Sequence, residues 1–169
     1  MNGDNIVYFK KIEFKLDVDI EKIKSSKLKE KYEDLFISYE IKDLKYFTDA
    51  LSQVIKFNIP PVSVNYTEIL KSGIGKHVDG PSQVALNYYL ETYNDITIFW
   101  KKKLEDSDPY DLVYAEHFVA ENKEAFLLNS SHMHSVVKKD RNMVRKFIRF
   151  FWHDLPFDEV FNSIEIIGK

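Results

Sequence analysis

The sequence predicts an α+β fold that is mainly β, in which helices from the first third pack on one face of an antiparallel sandwich or barrel. Three observations lead there. Before Pro60-Pro61, apolar residues fall at helical spacing. After it, they fall in short β-branched and aromatic runs. Turn residues separate those runs at regular intervals.

Taken in order, residues 6–17 read as a strand, with Val7, Phe9, Ile12 and Phe14 set among lysines. Asp19 is placed to cap a helix from Ile20 to about Tyr32, with Ile23, Leu28 and Tyr32 on its apolar side. A second helix is expected from Lys42 to Phe57, where Leu44, Phe47, Leu51, Val54 and Ile55 share a face. The two prolines end it, since proline cannot continue a helix. Strands are then expected at Val62–Tyr66, Val84–Leu90, Ile96–Trp100, Leu112–Val119, Ala125–Leu128 and Val144–Trp152. No repeat, low-complexity stretch or flexible linker divides the chain. One domain over residues 1–169 is expected, with helical support at about 19–57 and the β core at about 61–152.

Composition narrows the chemistry. The 169 residues are 44% hydrophobic and include 13 Phe and 10 Tyr, enough large side chains for a sizeable core and too many for a disordered chain. There is no cysteine, so a disulfide, a zinc-thiolate site and a thiol nucleophile are excluded, and a metal would have to be held by His, Asp or Glu. A net charge of −3 gives no overall nucleic-acid footprint. Residues 1–11 carry Asp4 and lack the apolar core of a signal peptide, and no apolar run reaches membrane-spanning length. The expectation is a soluble, cytoplasmic protein with no membrane partner.

Three segments carry the candidate chemistry. In Gly75–Gly80, His77 and Asp79 are two residues apart, so on an extended strand an imidazole and a carboxylate leave the same face; a polar strand edge would show the same pair. In Glu124–Val136 an apolar strand leads to His132 and His134. Either histidine would complete a two-histidine, one-carboxylate set, which leaves open coordination positions and suits non-haem iron(II); zinc accepts the same ligands. In Arg141–Trp152, Arg145 heads a strongly apolar strand. A guanidinium there needs an anionic partner, whether a bound carboxylate or a structural Asp or Glu.

In this order the segments resemble the 2-oxoglutarate- and Fe(II)-dependent oxygenase superfamily, and in local motifs its prolyl-hydroxylase-like members. The shared pattern is a His-x-Asp pair, a long interval, a distal His and then an Arg, here His77, Asp79, His134 and Arg145. The aromatic strand Val84–Leu90, the strand Ile96–Phe99 and the block Leu127-Leu128 leading to His134-Ser135-Val136 fit as well. The resemblance runs from about Pro61 to Trp152. One departure is Tyr93-Asn94-Asp95-Ile96, where the family has a Gly-Gly-Glu turn.

The resemblance implies a double-stranded β-helix, or jelly roll. It implies His77, Asp79 and His134 as iron ligands, and Arg145 as the group that binds the far carboxylate of 2-oxoglutarate. Asn87 and Tyr89 share a strand face with Ala85 and would point inward beside it, with Tyr66 as a second inward tyrosine; core packing is the other reading of all three. The implied cofactors are Fe(II), 2-oxoglutarate and dioxygen, with ascorbate as a reductant. The implied reaction is hydroxylation of a peptide residue or small molecule with release of succinate and carbon dioxide. His134 is favoured over His132 by its following Ser-Val and its distance to Arg145. His117 and His153 are read as ordinary histidines, and Trp100 and Trp152 as core.

Two other readings remain at this point: a jelly-roll binding module without catalysis, and a different metal-dependent enzyme, cupin-like or hydrolytic. The basic cluster Lys138, Lys139, Arg141, Arg145, Lys146 and Arg149 would attract an anionic substrate or nucleic acid if it lined a cleft. A solvated hairpin is the preferred reading.

Overall fold

The computed structural model describes residues 6–19, 23, 27–33, 35–80, 83–104 and 107–167. The strands are β1 (Phe9–Ile12), β2 (Lys27–Tyr32), β3 (Phe36–Glu40), β4 (Ile55–Phe57), β5 (Ser63–Ile69), β6 (Ile74–His77), β7 (Gln83–Glu91), β8 (Ile96–Lys102), β9 (Leu112–Val119), β10 (Ala125–Asn129), β11 (His134–Val137), β12 (Arg145–His153) and β13 (Ile164–Ile166). The helices that lie wholly among the described residues are α1 (Leu44–Ser52) and α2 (Phe157–Asn162).

The strands form a seven-stranded sheet in the order β1-β10-β7-β12-β5-β3-β2, a four-stranded sheet β6-β11-β8-β9 and a small ladder β13-β4. From β5 onward the chain passes back and forth between the two main sheets, and every pairing is antiparallel. That winding is a jelly roll, as the sequence resemblance implies. Residues 70–73 carry the chain from β5 across to β6. Gly73 makes that crossing with φ +71, where a Cβ would stand 2.3 Å from the carbonyl oxygen of Val136. β3 and β2 extend the large sheet beyond β5, on the side where the small sheet has already ended at β6.

The large sheet is the middle layer, and its central strands are buried on both faces. Along β7, every residue from Val84 to Tyr89 is buried. One set of alternate residues, Val84, Leu86 and Tyr88 with Ile148, Phe150 and Trp152 of β12, packs outward with Phe47 and Leu51 of α1 and Val160 of α2. The other set packs inward with the small sheet, where Tyr89, Phe126 and Phe147 meet Phe99, Phe118 and Val136. Trp152 is fully buried on the outer side and donates from Nε1 to the Ile59 carbonyl at 2.7 Å, so its reading as core holds.

The one expected helix that forms fully within the described residues is shorter than predicted. The Asp43 side chain caps α1 by accepting from the Tyr46 N–H at 3.0 Å. Nine residues are too few for an isolated helix, which needs about 12–15. Burial of Phe47 and Leu51, each worth roughly 1.5–3 kcal/mol, holds it on the sheet. Val54 and Ile55 leave the helix, and Ile55 starts β4, which pairs with β13. The helix expected at residues 20–32 is corrected over its second half: Lys27–Tyr32 is the edge strand β2, with Leu28 and Tyr32 exposed. Most of its first half lies outside the described residues. The region 19–57 is therefore not simply helical support, since it also supplies two strands of the large sheet.

Candidate metal site and cavity

β6 and β11 are neighbours in the small sheet, and their register makes His77 and His134 direct cross-strand partners, with ring centroids 4.3 Å apart. Just beyond β6, the Asp79 N–H donates to the Ser130 carbonyl at 3.1 Å and draws the carboxylate in beside both rings. His77 Nε2 lies 3.3 Å and His134 Nε2 3.7 Å from Asp79 Oδ1. The three ligand atoms all fall within 4.8 Å of one another.

The hydrogen bonds set the tautomers. His77 Nδ1 is 2.8 Å from the Gly75 carbonyl, and His134 Nδ1 is 2.8 Å from the His132 carbonyl. A carbonyl only accepts, so each Nδ1 carries a proton and each ring turns its Nε2 toward Asp79. Burial pushes the His134 imidazole down to about 4, against the opposing pull of Asp79, so it is neutral at pH 7. Burial alone would raise Asp79; the Arg149 guanidinium, with the His77 hydrogen bond and both imidazoles, outweighs it and holds the carboxyl well below the usual carboxylate range. The His134 lone pair, His77 Nε2 and an ionised oxygen thus converge, and among the described residues nothing donates to the buried His134 Nε2. That donor set fits a divalent cation.

The same three residues line a cavity of about 260 Å³ between the sheets. Arg145, 1% exposed, lines the same cavity. Its Nη2 donates to Thr97 Oγ1 at 3.0 Å, and its guanidinium stands 4.5 Å over the Tyr89 ring. Among the described residues no group accepts from Nε or Nη1. Asn87 and Tyr89 also line the cavity, and Asn87 Nδ2 donates to the Tyr89 hydroxyl at 3.2 Å. Of the expected site residues, the structure therefore brings together His77, Asp79, His134, Arg145, Asn87 and Tyr89.

Tyr66 is the exception. Inward residues on β5 are Asn65, Thr67 and Ile69, so Tyr66 faces the other side of the sheet. There its hydroxyl donates to Glu68 at 2.8 Å, and its ring lies 5.9 Å from that of Tyr39. Tyr66→Phe is accordingly expected to leave the affinity for any ligand of the cavity unchanged. A titration of the variant beside the parent checks this, and a weakened ligand would put Tyr66 back in the site.

His132 lies in the turn before β11, edge-on to Tyr8, and supplies a backbone carbonyl to His134 rather than a ring nitrogen to the cluster. His117 is exposed and pairs with the Tyr114 hydroxyl, whereas His153 lines the cavity, stacked on Phe151. Trp100 is half-buried on the outer face of the small sheet, with the Lys76 ammonium 3.9 Å from its ring.

The solvated-hairpin reading of the basic cluster is corrected for three members. Lys138 is buried beside Asp95 and donates to the Met143 carbonyl, and Arg145 and Arg149 point into the cavity. Thr97 and Arg149 were not singled out as site residues. Arg149 sits four residues after Arg145, an even spacing that puts both on one strand face. Asn94 makes the turn that lacks the Gly-Gly pair, at φ 58, a left-handed conformation that asparagine tolerates.

A scan against protein-family models finds no match, and a search of curated proteins finds none. Among solved structures the chain is similar to the 7S globulin of Momordica charantia, with TM-score 0.46 and 11% identity over 85% of this chain and 33% of that one. It is similar to FeII HppE, with TM-score 0.48 and 9% identity over 81% and 63%. It is similar to vicilin from Corylus avellana (hazelnut), with TM-score 0.45 and 10% identity over 76% and 31%. The chain thus spans less than two thirds of each. These likenesses are distant, and the class of protein is defined by the topology and side chains themselves: a jelly roll with a candidate His–Asp–His metal site. No helix among the described residues is long and apolar enough to cross a membrane.

Proposed function

We propose that the protein is an Fe(II)- and 2-oxoglutarate-dependent dioxygenase that hydroxylates a peptide residue or small molecule. The observation that carries this reading is Arg145. A guanidinium almost fully buried, with two nitrogens lacking an acceptor among the described residues, is costly unless an anion reaches it. It shares one cavity with the three metal-type ligands. A molecule with a carboxylate at each end, one at Arg145 and Thr97 and the other at the triad, satisfies both groups at once.

His77, Asp79 and His134 would hold the iron. Arg145 and Thr97 would bind the far carboxylate, with Tyr89 under the guanidinium as an apolar floor, and Asn87 would fix the Tyr89 hydroxyl. Bound there, iron(II) and 2-oxoglutarate would supply oxidation by dioxygen, with succinate and carbon dioxide as co-products. Phe147 and Val136 line the cavity beside the site, and Phe99 packs against the His134 ring.

The test is an anaerobic titration of the protein with iron(II) and then 2-oxoglutarate, following the visible charge-transfer band of an iron-chelated keto acid. A saturable band is expected. A folded, metal-loaded protein that gives no band would overturn the oxygenase reading and leave a metal-dependent enzyme of another class. A protein that binds no metal would leave a jelly-roll binding module.

A further inference from the structure

Asp79 is held from both sides. Its Oδ1 faces the two histidines, while its Oδ2 accepts from Arg149 Nη1 at 2.9 Å. Arg149 is itself fixed. Its Nε donates to Asn87 Oδ1 at 2.7 Å, and its guanidinium lies between the rings of Phe147 and Phe151, at 5.2 and 5.4 Å. The Asn87 amide has one orientation open to it: with Oδ1 accepting from Arg149, Nδ2 is left to donate to Tyr89. The guanidinium therefore cannot swing off the carboxylate without breaking this chain of contacts.

We infer that Arg149 is a positioning residue that keeps Asp79 a one-oxygen ligand, so that a bound metal retains three free positions. This rests on the metal-site reading above. A carboxylate near a divalent cation can bind through one oxygen or two. With two, the protein would supply four donor atoms, and too few positions would remain for a chelating cosubstrate and a third ligand together. A charge-assisted hydrogen bond to Oδ2, made by a group that packing holds in place, selects the one-oxygen form. Arg149 also occupies that oxygen with a positive charge, so its removal favours the cation electrostatically instead of costing affinity. This separates positioning from simple support of the fold.

The test loads the full chain with cobalt(II), as parent and as Arg149→Met, which keeps the aliphatic packing between the two phenylalanines and removes the donors. Affinity is read by titration and coordination by crystal structures of both loaded proteins. In the parent, one Asp79 oxygen is expected on the metal and the other on Arg149. In Arg149→Met, both oxygens are expected on the metal, with cobalt affinity held or raised. Arg149→Lys, which keeps one cationic donor, is expected to restore the one-oxygen form. A loaded parent with both oxygens on the metal, or an Arg149→Met protein that keeps one, overturns the inference even if the variant folds poorly, because the parent structure is decisive by itself. A folded parent that takes up no cobalt removes the metal-site reading and this one with it, an outcome distinct from the other two.

Discussion

A His77→Ala protein is expected to fold as the parent does and to take up no iron(II) at stoichiometric concentration. The His77 side chain is 31% exposed, and its Nδ1 contact is to a local carbonyl, so little of the fold depends on it. The metal, in contrast, loses one of three donors. Two remaining donors, one of them a neutral imidazole, are too few to keep a divalent cation from water at stoichiometric concentration. Asp79→Ala should abolish binding as well, but with a penalty to the fold that His77→Ala lacks. It leaves Arg149 without its carboxylate in a site where Asp79 is only 13% exposed, at a cost of up to roughly 3–5 kcal/mol. The checks are metal content after dialysis and thermal unfolding of the metal-free proteins. Full iron binding by both variants would refute the metal assignment.

The second large effect belongs to Arg145. Arg145→Met is expected to weaken 2-oxoglutarate by about 2–5 kcal/mol, since it strips the cation from a buried charge pair. Iron binding should survive. The ligand-free variant should be as stable as the parent or more so, because methionine fills similar space without a desolvated charge. Thermal unfolding separates the two effects. At a cosubstrate concentration of about 100 times the parent's Kd, the parent gains roughly 2.7 kcal/mol, and the variant gains less than about 1 kcal/mol. A variant destabilised without ligand, yet stabilised by 2-oxoglutarate as the parent is, would make Arg145 a structural ion-pair partner.

Strand positions and the His77–Asp79 pair were legible because they are short-range signals, whereas the jelly-roll winding and the choice of His134 came from the order of the motifs in the family resemblance. His77 and Asp79 are neighbours in sequence, and strands β7 to β10 and β12 are bounded by turn residues. Tyr66 was misplaced for a physical reason. In most sandwiches the apolar alternates of a strand mark the inside. Here the central strands of the large sheet are covered on both faces, and on β5 the polar alternates Asn65 and Thr67 line the cavity while Val64 packs outside. Hydrophobicity therefore could not distinguish the two faces. Arg149 was hidden by company: it sits in a run of six basic residues that resembles a solvated hairpin, and only the parity of its spacing from Arg145 sets it apart. β2 was misread because Lys-Leu-Lys-Glu-Lys-Tyr favours a helix by propensity, although lysines are also what protects the edge of a sheet.

The unequal width of the two sheets bears on what the cavity can take in. β3 and β2 continue the floor of the cavity past the point where its roof stops at β6, and Glu30, Phe36 and Ser38 along them belong to the lining. The cavity of about 260 Å³ therefore runs from the enclosed space between the sheets out onto this shelf, so a ligand held at its inner end need not fit inside it whole. A long chain can lie on the open shelf, its bulk in solvent, with one side chain lowered over the edge. In the oxygenase reading proposed above, the length of a substrate and the choice of its reacting group would then be governed by different parts of the same sheet.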